Sequence, residues 1–133
     1  MKKISLVLVI ILGFTYGCKA QSQSERITAY KTKIIGTWLS KDDPEYKIVF
    51  TNQGNQLEYV NGQLQTEVYL YSITSSCNSN SNGYDIYLKR RQSIDDLNDN
   101  ACDIVNNIHT DANGVTILSI TNDRGQLELY TKQ

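Results

Sequence analysis

The chain has 133 residues, with 13 basic and 14 acidic side chains and a formal net charge of −1. That length fits one domain with a modest core, and basic residues scattered rather than gathered among aromatics argue against nucleic-acid binding. One histidine and three cysteines leave few side chains for metal ligation or nucleophilic catalysis.

Lys2 and Lys3 precede an uncharged apolar run from Ile4 to Phe14, followed by Tyr16-Gly17-Cys18-Lys19-Ala20. A basic start, a short apolar stretch and small residues before a cut site describe an export signal. The run falls short of the roughly twenty residues that span a bilayer as a helix. Gly17-Cys18 resembles the lipobox of bacterial lipoproteins, where the signal is cut before a cysteine that then carries lipid. Thr15 and Tyr16 stand where that pattern has an aliphatic and a small residue. A cut after Ala20 is the alternative, and it gives a soluble periplasmic or secreted protein. On the lipoprotein reading, residues 1–17 are the signal peptide, Cys18 is the lipidation site, and 18–33 form a lipidated tether and short helix. The lipid holds the domain to a membrane, each buried methylene contributing about 0.8 kcal/mol. Lys19 stands where an aspartate would retain a lipoprotein in the inner membrane, so the resemblance implies an outer-membrane address facing the periplasm.

Within 24–35, Ser24 is the expected cap, and Ile27, Tyr30 and Ile34 recur at helical spacing. From Gly36 onward apolar and polar residues alternate in short runs, as in half-buried strands. Eight strands are expected, at 36–40, 46–51, 56–61, 65–74, 84–91, 102–109, 115–121 and 126–132. Turn signals separate them, among them Asn61-Gly62, Asn82-Gly83 and Asn113-Gly114. Asn-Gly suits tight hairpins because both residues tolerate positive φ. The apolar sets expected to face inward are Tyr46, Ile48 and Phe50; Leu57 and Tyr59; Ile86 and Leu88; Ile104 and Ile108; and Leu127 and Leu129. Lys47, Glu58, Glu128 and Lys132 fall on the opposite faces. The fourth strand is ambiguous, because Val68 and Leu70 compete with Tyr69, Tyr71 and Ile73. The pattern predicts an all-β, antiparallel, eight-stranded up-and-down barrel with a short N-terminal helical lead-in.

In an exported protein, Cys77 and Cys102 are most simply a disulfide, with two buried thiols as the alternative. The closed loop contributes about 3 kcal/mol in the chain-entropy model. Simple hairpins would put the two cysteines at opposite ends of the fifth strand, so the loop 92–101 must carry Cys102 back, or that strand starts elsewhere. Two cysteines and His109 do not make a zinc ligand set.

Gly36-Thr37-Trp38, at the start of the first strand, resembles the Gly-x-Trp signature of lipocalin-type barrels. Small lipocalin-like lipoproteins of Bacteroidetes-type bacteria look closest, sharing a lipoprotein start, a later cysteine pair and a final strand like 125–130. The resemblance spans roughly 34–132, within a barrel domain read as 34–133. It implies that Gly36 and Trp38 plug one barrel end and that a basic residue of the last strand lies against the tryptophan. Lys132 is the candidate within that strand, and Arg124 sits in the turn before it.

An eight-stranded barrel is either filled by its own side chains or holds one small ligand. If it holds one, the expected contacts are Tyr46, Ile48, Phe50, Leu57, Tyr59, Ile86 and Leu88, and the ligand is small and apolar. No catalytic residues and no cofactor are assigned. His109 lies beside Asp111 without a defined nucleophile, and Asp95, Asp96, Asp99 and Asp103 lack the order of a calcium loop. The leading expectation is a non-enzymatic envelope lipoprotein. The alternative is an envelope lipoprotein that binds another protein, an inhibitor or immunity-type factor, through loops at 72–81 and 93–101.

Overall fold

A computed structural model describes residues 20–78, 83, 85–92 and 100–133. The expected signal peptide, Cys18, Asp95, Asp96, Asp99 and the predicted start of the fifth strand lie outside those residues. One helix, α1 (Gln23–Lys33), leads into eight strands: β1 (Gly36–Ser40), β2 (Tyr46–Phe50), β3 (Asn55–Val60), β4 (Gln63–Thr74), β5 (Tyr87–Arg91), β6 (Ala101–Thr110), β7 (Thr116–Thr121) and β8 (Leu127–Lys132). Each strand pairs antiparallel with the next, and β8 returns to β1 to close the barrel. Closure gives each strand a neighbour on both sides, although on β4 only Leu70–Thr74 pair with β5.

The helix starts earlier than its expected cap. Ser22, not Ser24, is the N-cap: its hydroxyl accepts from the Glu25 amide at 3.2 Å, and the Glu25 carboxylate accepts from the Ser22 amide at 2.9 Å. This reciprocal pair satisfies two backbone donors that helix geometry leaves open. Tyr30 and Ile34 are buried, and Ile27 packs partly against the core, so the predicted helical spacing holds.

The β3–β4 connection is the two-residue Asn61-Gly62 turn, with φ of 52° and 76°, the geometry that matches strand twist. Register fixes which side chains enter the barrel, because opposed residues share a face. Phe50 opposes Gln56 and Ile48 opposes Glu58. Phe50 and Ile48 are buried in the core, so Gln56 and Glu58 face the interior. Leu57 and Tyr59, opposed to Val49 and Lys47, therefore face outward, and Tyr59 lies 4.7 Å beneath the Lys47 ammonium. This corrects the assignment of Leu57 and Tyr59 to an interior site.

Two other strands also depart from the apolar-inward expectation. On β8, Tyr130 is buried while Leu127 is 59% exposed, so Glu128, Tyr130 and Lys132 form the inward set. On β6 the register shifts between Val105 and Asn107. Asp103, Val105 and Ile108 are buried, and the extra residue at the bulge puts Ile104 on the outer face. On β4 the ambiguity resolves in favour of Tyr71 and Ile73, which pack in the core, while Val68 is exposed.

Cys77 and Cys102 form a disulfide, with Cα atoms 5.9 Å apart. Asp103 faces inward, so Cys102 beside it faces out, and the bridge lies on the outer wall. The chain leaving β4 thus reaches β6 across the outside of the barrel, which removes the conflict that simple hairpins raised.

Candidate functional site

The barrel interior has two chemically different ends. At the first, Trp38 is fully buried and its Nε1 donates to the Ile34 carbonyl at 2.6 Å. The Lys132 ammonium lies 5.2 Å from the centroid of the indole and donates to the Lys33 carbonyl at 2.8 Å. Lys132 thus joins the tryptophan, the end of α1 and the last strand. Gly36 has φ of +131°, and a Cβ there would stand 2.9 Å from Lys132 Cε. Glycine is needed both for the backbone angle and for the approach of that lysine.

The middle is an apolar layer. Phe50, Ile73, Ile86, Leu88, Val105, Ile108, Leu118 and Ile120 form one buried cluster. Phe50 meets Tyr71 edge-on at 4.9 Å, and the Tyr71 hydroxyl donates to the Thr51 carbonyl at 2.8 Å. Tyr71 is therefore tied to the core rather than presented to solvent.

The second end is polar. On β8, Lys132 belongs to the tryptophan end, so Glu128 lies toward the other. On β2, Phe50 opposes Gly36, so Tyr46 likewise lies away from α1. A cavity of about 190 Å³ is lined here by Tyr46, Ile48, Gln56, Leu88, Arg90, Asp103, Ile120, Glu128 and Tyr130. Arg90 pairs with Asp103 and stands 3.8 Å from Glu58. Gln56 donates its amide to Glu58 at 3.0 Å. Glu128 accepts from the Tyr130 hydroxyl and from the Asn122 amide, each at 2.8 Å.

Burial governs the electrostatics of this end. It pushes the Asp103 carboxyl above its ordinary value, although Arg90 pulls the other way. Burial also raises the Tyr46 and Tyr130 phenols far above theirs, reinforced by Glu58 at Tyr46 and by the bond to Glu128 at Tyr130. Both phenols are neutral donors at any physiological pH.

Three buried atoms at the cavity have no hydrogen-bond partner: Gln56 Oε1, Arg90 Nε and Asp103 Oδ1. Native interiors pair nearly all buried polar groups, and each orphan costs about 1–3 kcal/mol. Three such atoms cluster around one hollow.

Of the seven candidate ligand contacts, Tyr46, Ile48 and Leu88 line the cavity. Phe50 and Ile86 belong to the apolar layer, and Leu57 and Tyr59 are outside. Gln56, Arg90, Asp103, Glu128 and Tyr130 were missed. Their one sequence signal was parity, since Arg90 continues the Ile86, Leu88 set on the same face. His109 is exposed on β6. Among the described residues, no group of three or more His, Cys, Asp or Glu side chains could hold a metal, and no helix is long and apolar enough to cross a membrane. Loop residues 79–82 and 93–99, expected to contact a protein partner, fall outside the description.

The class that the geometry defines is a closed eight-stranded antiparallel barrel with a helix-plugged end and a polar hollow at the other. Comparison with protein-family models, curated proteins and solved structures finds no match.

Proposed function

We propose that this chain is an exported, lipid-anchored envelope protein of lipocalin-like build whose barrel receives one small molecule at the end facing away from α1. The observation that carries this reading is the 190 Å³ hollow with its three unpartnered buried atoms. A barrel that served only as a scaffold would gain stability by filling that end with apolar side chains. The kinship is supported by Gly36, by the buried Trp38 and by the Lys132 ammonium over its ring. The lining speaks for a polar ligand over the apolar one expected from the barrel count. No reaction is proposed for this hollow.

The anchor is Cys18, five positions ahead of the first helical residue, Gln23. A tether that short spans at most about 18 Å at full extension. It holds the α1 side of the barrel close to the outer membrane and leaves the hollow facing the periplasm.

Native mass spectrometry of the protein extracted gently from its own envelope tests the binding. The expected result is a population heavier than the lipidated chain by one small molecule, released on unfolding. A single mass equal to the lipidated chain alone, under conditions that keep the barrel folded, rejects the reading.

A further inference from the structure

The charges at the hollow identify the class of molecule it takes. Asp103 and Glu128 line the hollow, Glu58 stands behind the lining residues Gln56 and Arg90, and Arg90 is the one basic side chain among the described lining residues. Arg90 is already committed to Asp103 and Glu58. Glu128 has two neutral donors, Tyr130 and Asn122, and no cation among the described residues. The nearest inward-facing lysine on its strand, Lys132, is held by Trp38 and the Lys33 carbonyl. The site therefore keeps an excess of negative charge even when Asp103 is protonated.

The unpartnered atoms point the same way. Gln56 Oε1 and Asp103 Oδ1 are acceptors, and Arg90 Nε is one donor. Gln56 is 2% exposed and Asp103 4%, so both are buried in the wall of the hollow. Tyr46 and Tyr130 add two aromatic rings with centroids 6.4 Å apart beside Glu128. Ring faces attract cations. A hollow of 190 Å³ holds roughly six water-sized volumes of about 30 Å³ each, which limits the ligand to a small molecule.

We infer that the barrel takes a small primary amine that carries an acceptor atom, with its ammonium at Glu128, Asp103 and Gln56 and its acceptor toward Arg90 Nε. The inference rests on the reading that the barrel receives a ligand, and it names that ligand's class. An ammonium supplies the donors that the two open acceptors lack. A carboxylate or phosphate would meet Glu128 and Asp103 head-on. An alkane-like ligand would leave all three open atoms without partners.

Titration of the isotope-labelled mature protein with aminobutanol, butanol and butyrate, followed by NMR, separates these classes. Side-chain signals of Gln56 and Arg90 Nε–H report the site. Aminobutanol is expected to shift both saturably, and Glu128→Gln is expected to weaken that binding at least tenfold. Glutamine's one carbonyl oxygen accepts from Asn122 while its amide donates to the Tyr130 hydroxyl, and the backbone spectrum of Glu128→Gln establishes that the barrel is intact. If that variant does not fold, Asp103→Asn is the second variant and the same loss is expected. Butanol or butyrate binding as tightly as aminobutanol overturns the amine while leaving a ligand-binding barrel. Unchanged aminobutanol affinity in a folded variant does the same. Failure of all three probes to shift the site overturns the amine and removes support for the barrel as a receptor.

Discussion

Inside the barrel, the Arg90 guanidinium on β5 pairs diagonally with the Asp103 carboxylate on β6, and the second carboxylate oxygen is left without a partner. An ion pair so placed is weak support for stability, because withdrawing both charges from water offsets much of their attraction. Its value lies in holding two charged groups at fixed positions beside a hollow.

That pair has a pH signature. Burial holds the Asp103 carboxyl above 3.8 in the folded state, so folding favours its protonated form. The contribution to stability is full below that ordinary value and is lost as pH rises through the folded-state value. An asparagine side chain at this position has no such proton to lose. The stability of Asp103→Asn relative to the native chain is therefore expected to rise as pH increases from about 3 toward about 7. Denaturant unfolding of both proteins across that range checks it; a difference that falls means that Arg90 outweighs burial, and one that stays flat means that the two cancel.

Gln56 gives a complementary expectation. Its carbonyl is buried and unpartnered, while its amide makes one bond to Glu58. Gln56→Leu removes the orphan and keeps the side chain's bulk, so unfolding free energy is expected to rise by about 1 kcal/mol. Ligand retention is expected to fall at the same time. A loss of stability in denaturant unfolding would instead make Gln56 part of the structural frame.

At the other end, Gly36→Ala is expected to destabilise by about 1–3 kcal/mol. The flexible Lys132 chain can swing aside, but φ of +131° remains strained for any residue with a Cβ. Lys132 would then leave Trp38 and the Lys33 carbonyl. Thermal unfolding together with indole fluorescence reports both effects; an unchanged midpoint and spectrum would deny that the contact closes the barrel.

The anchor is tested separately. Labelling cells with a radioactive fatty acid is expected to mark the native protein and leave Cys18→Ser unlabelled and uncleaved at that position. A native chain without label, or processed after Ala20, favours the released form.

Strand number, order and most borders were readable because the turn chemistry is local. Asn61-Gly62 and its counterparts announce where the chain reverses, whatever the core contains. Trp38, Gly36 and the Lys132 contact were readable from one signature and one position in the last strand. The disulfide followed from the expected compartment, although its path across the outer wall did not. What could not be read was which face of β3 and β8 turns inward. Apolar-inward reasoning assumes an apolar interior, and this barrel puts Gln56, Glu58 and Glu128 inside while Leu57, Tyr59 and Leu127 stay outside. On β6, the bulge between Val105 and Asn107 shifts the alternation, which no pattern of period two anticipates. The candidate site was missed for the same reason that makes it a site: its residues break the rule that builds a core.

A crystal structure of the protein purified from its own envelope, without denaturation, tests the account most directly. The expected map has an ordered non-protein group within hydrogen-bond distance of Gln56 Oε1 and Asp103 Oδ1. A hollow closed by its own side chains, with those two oxygens paired to protein donors, would contradict a ligand-binding barrel.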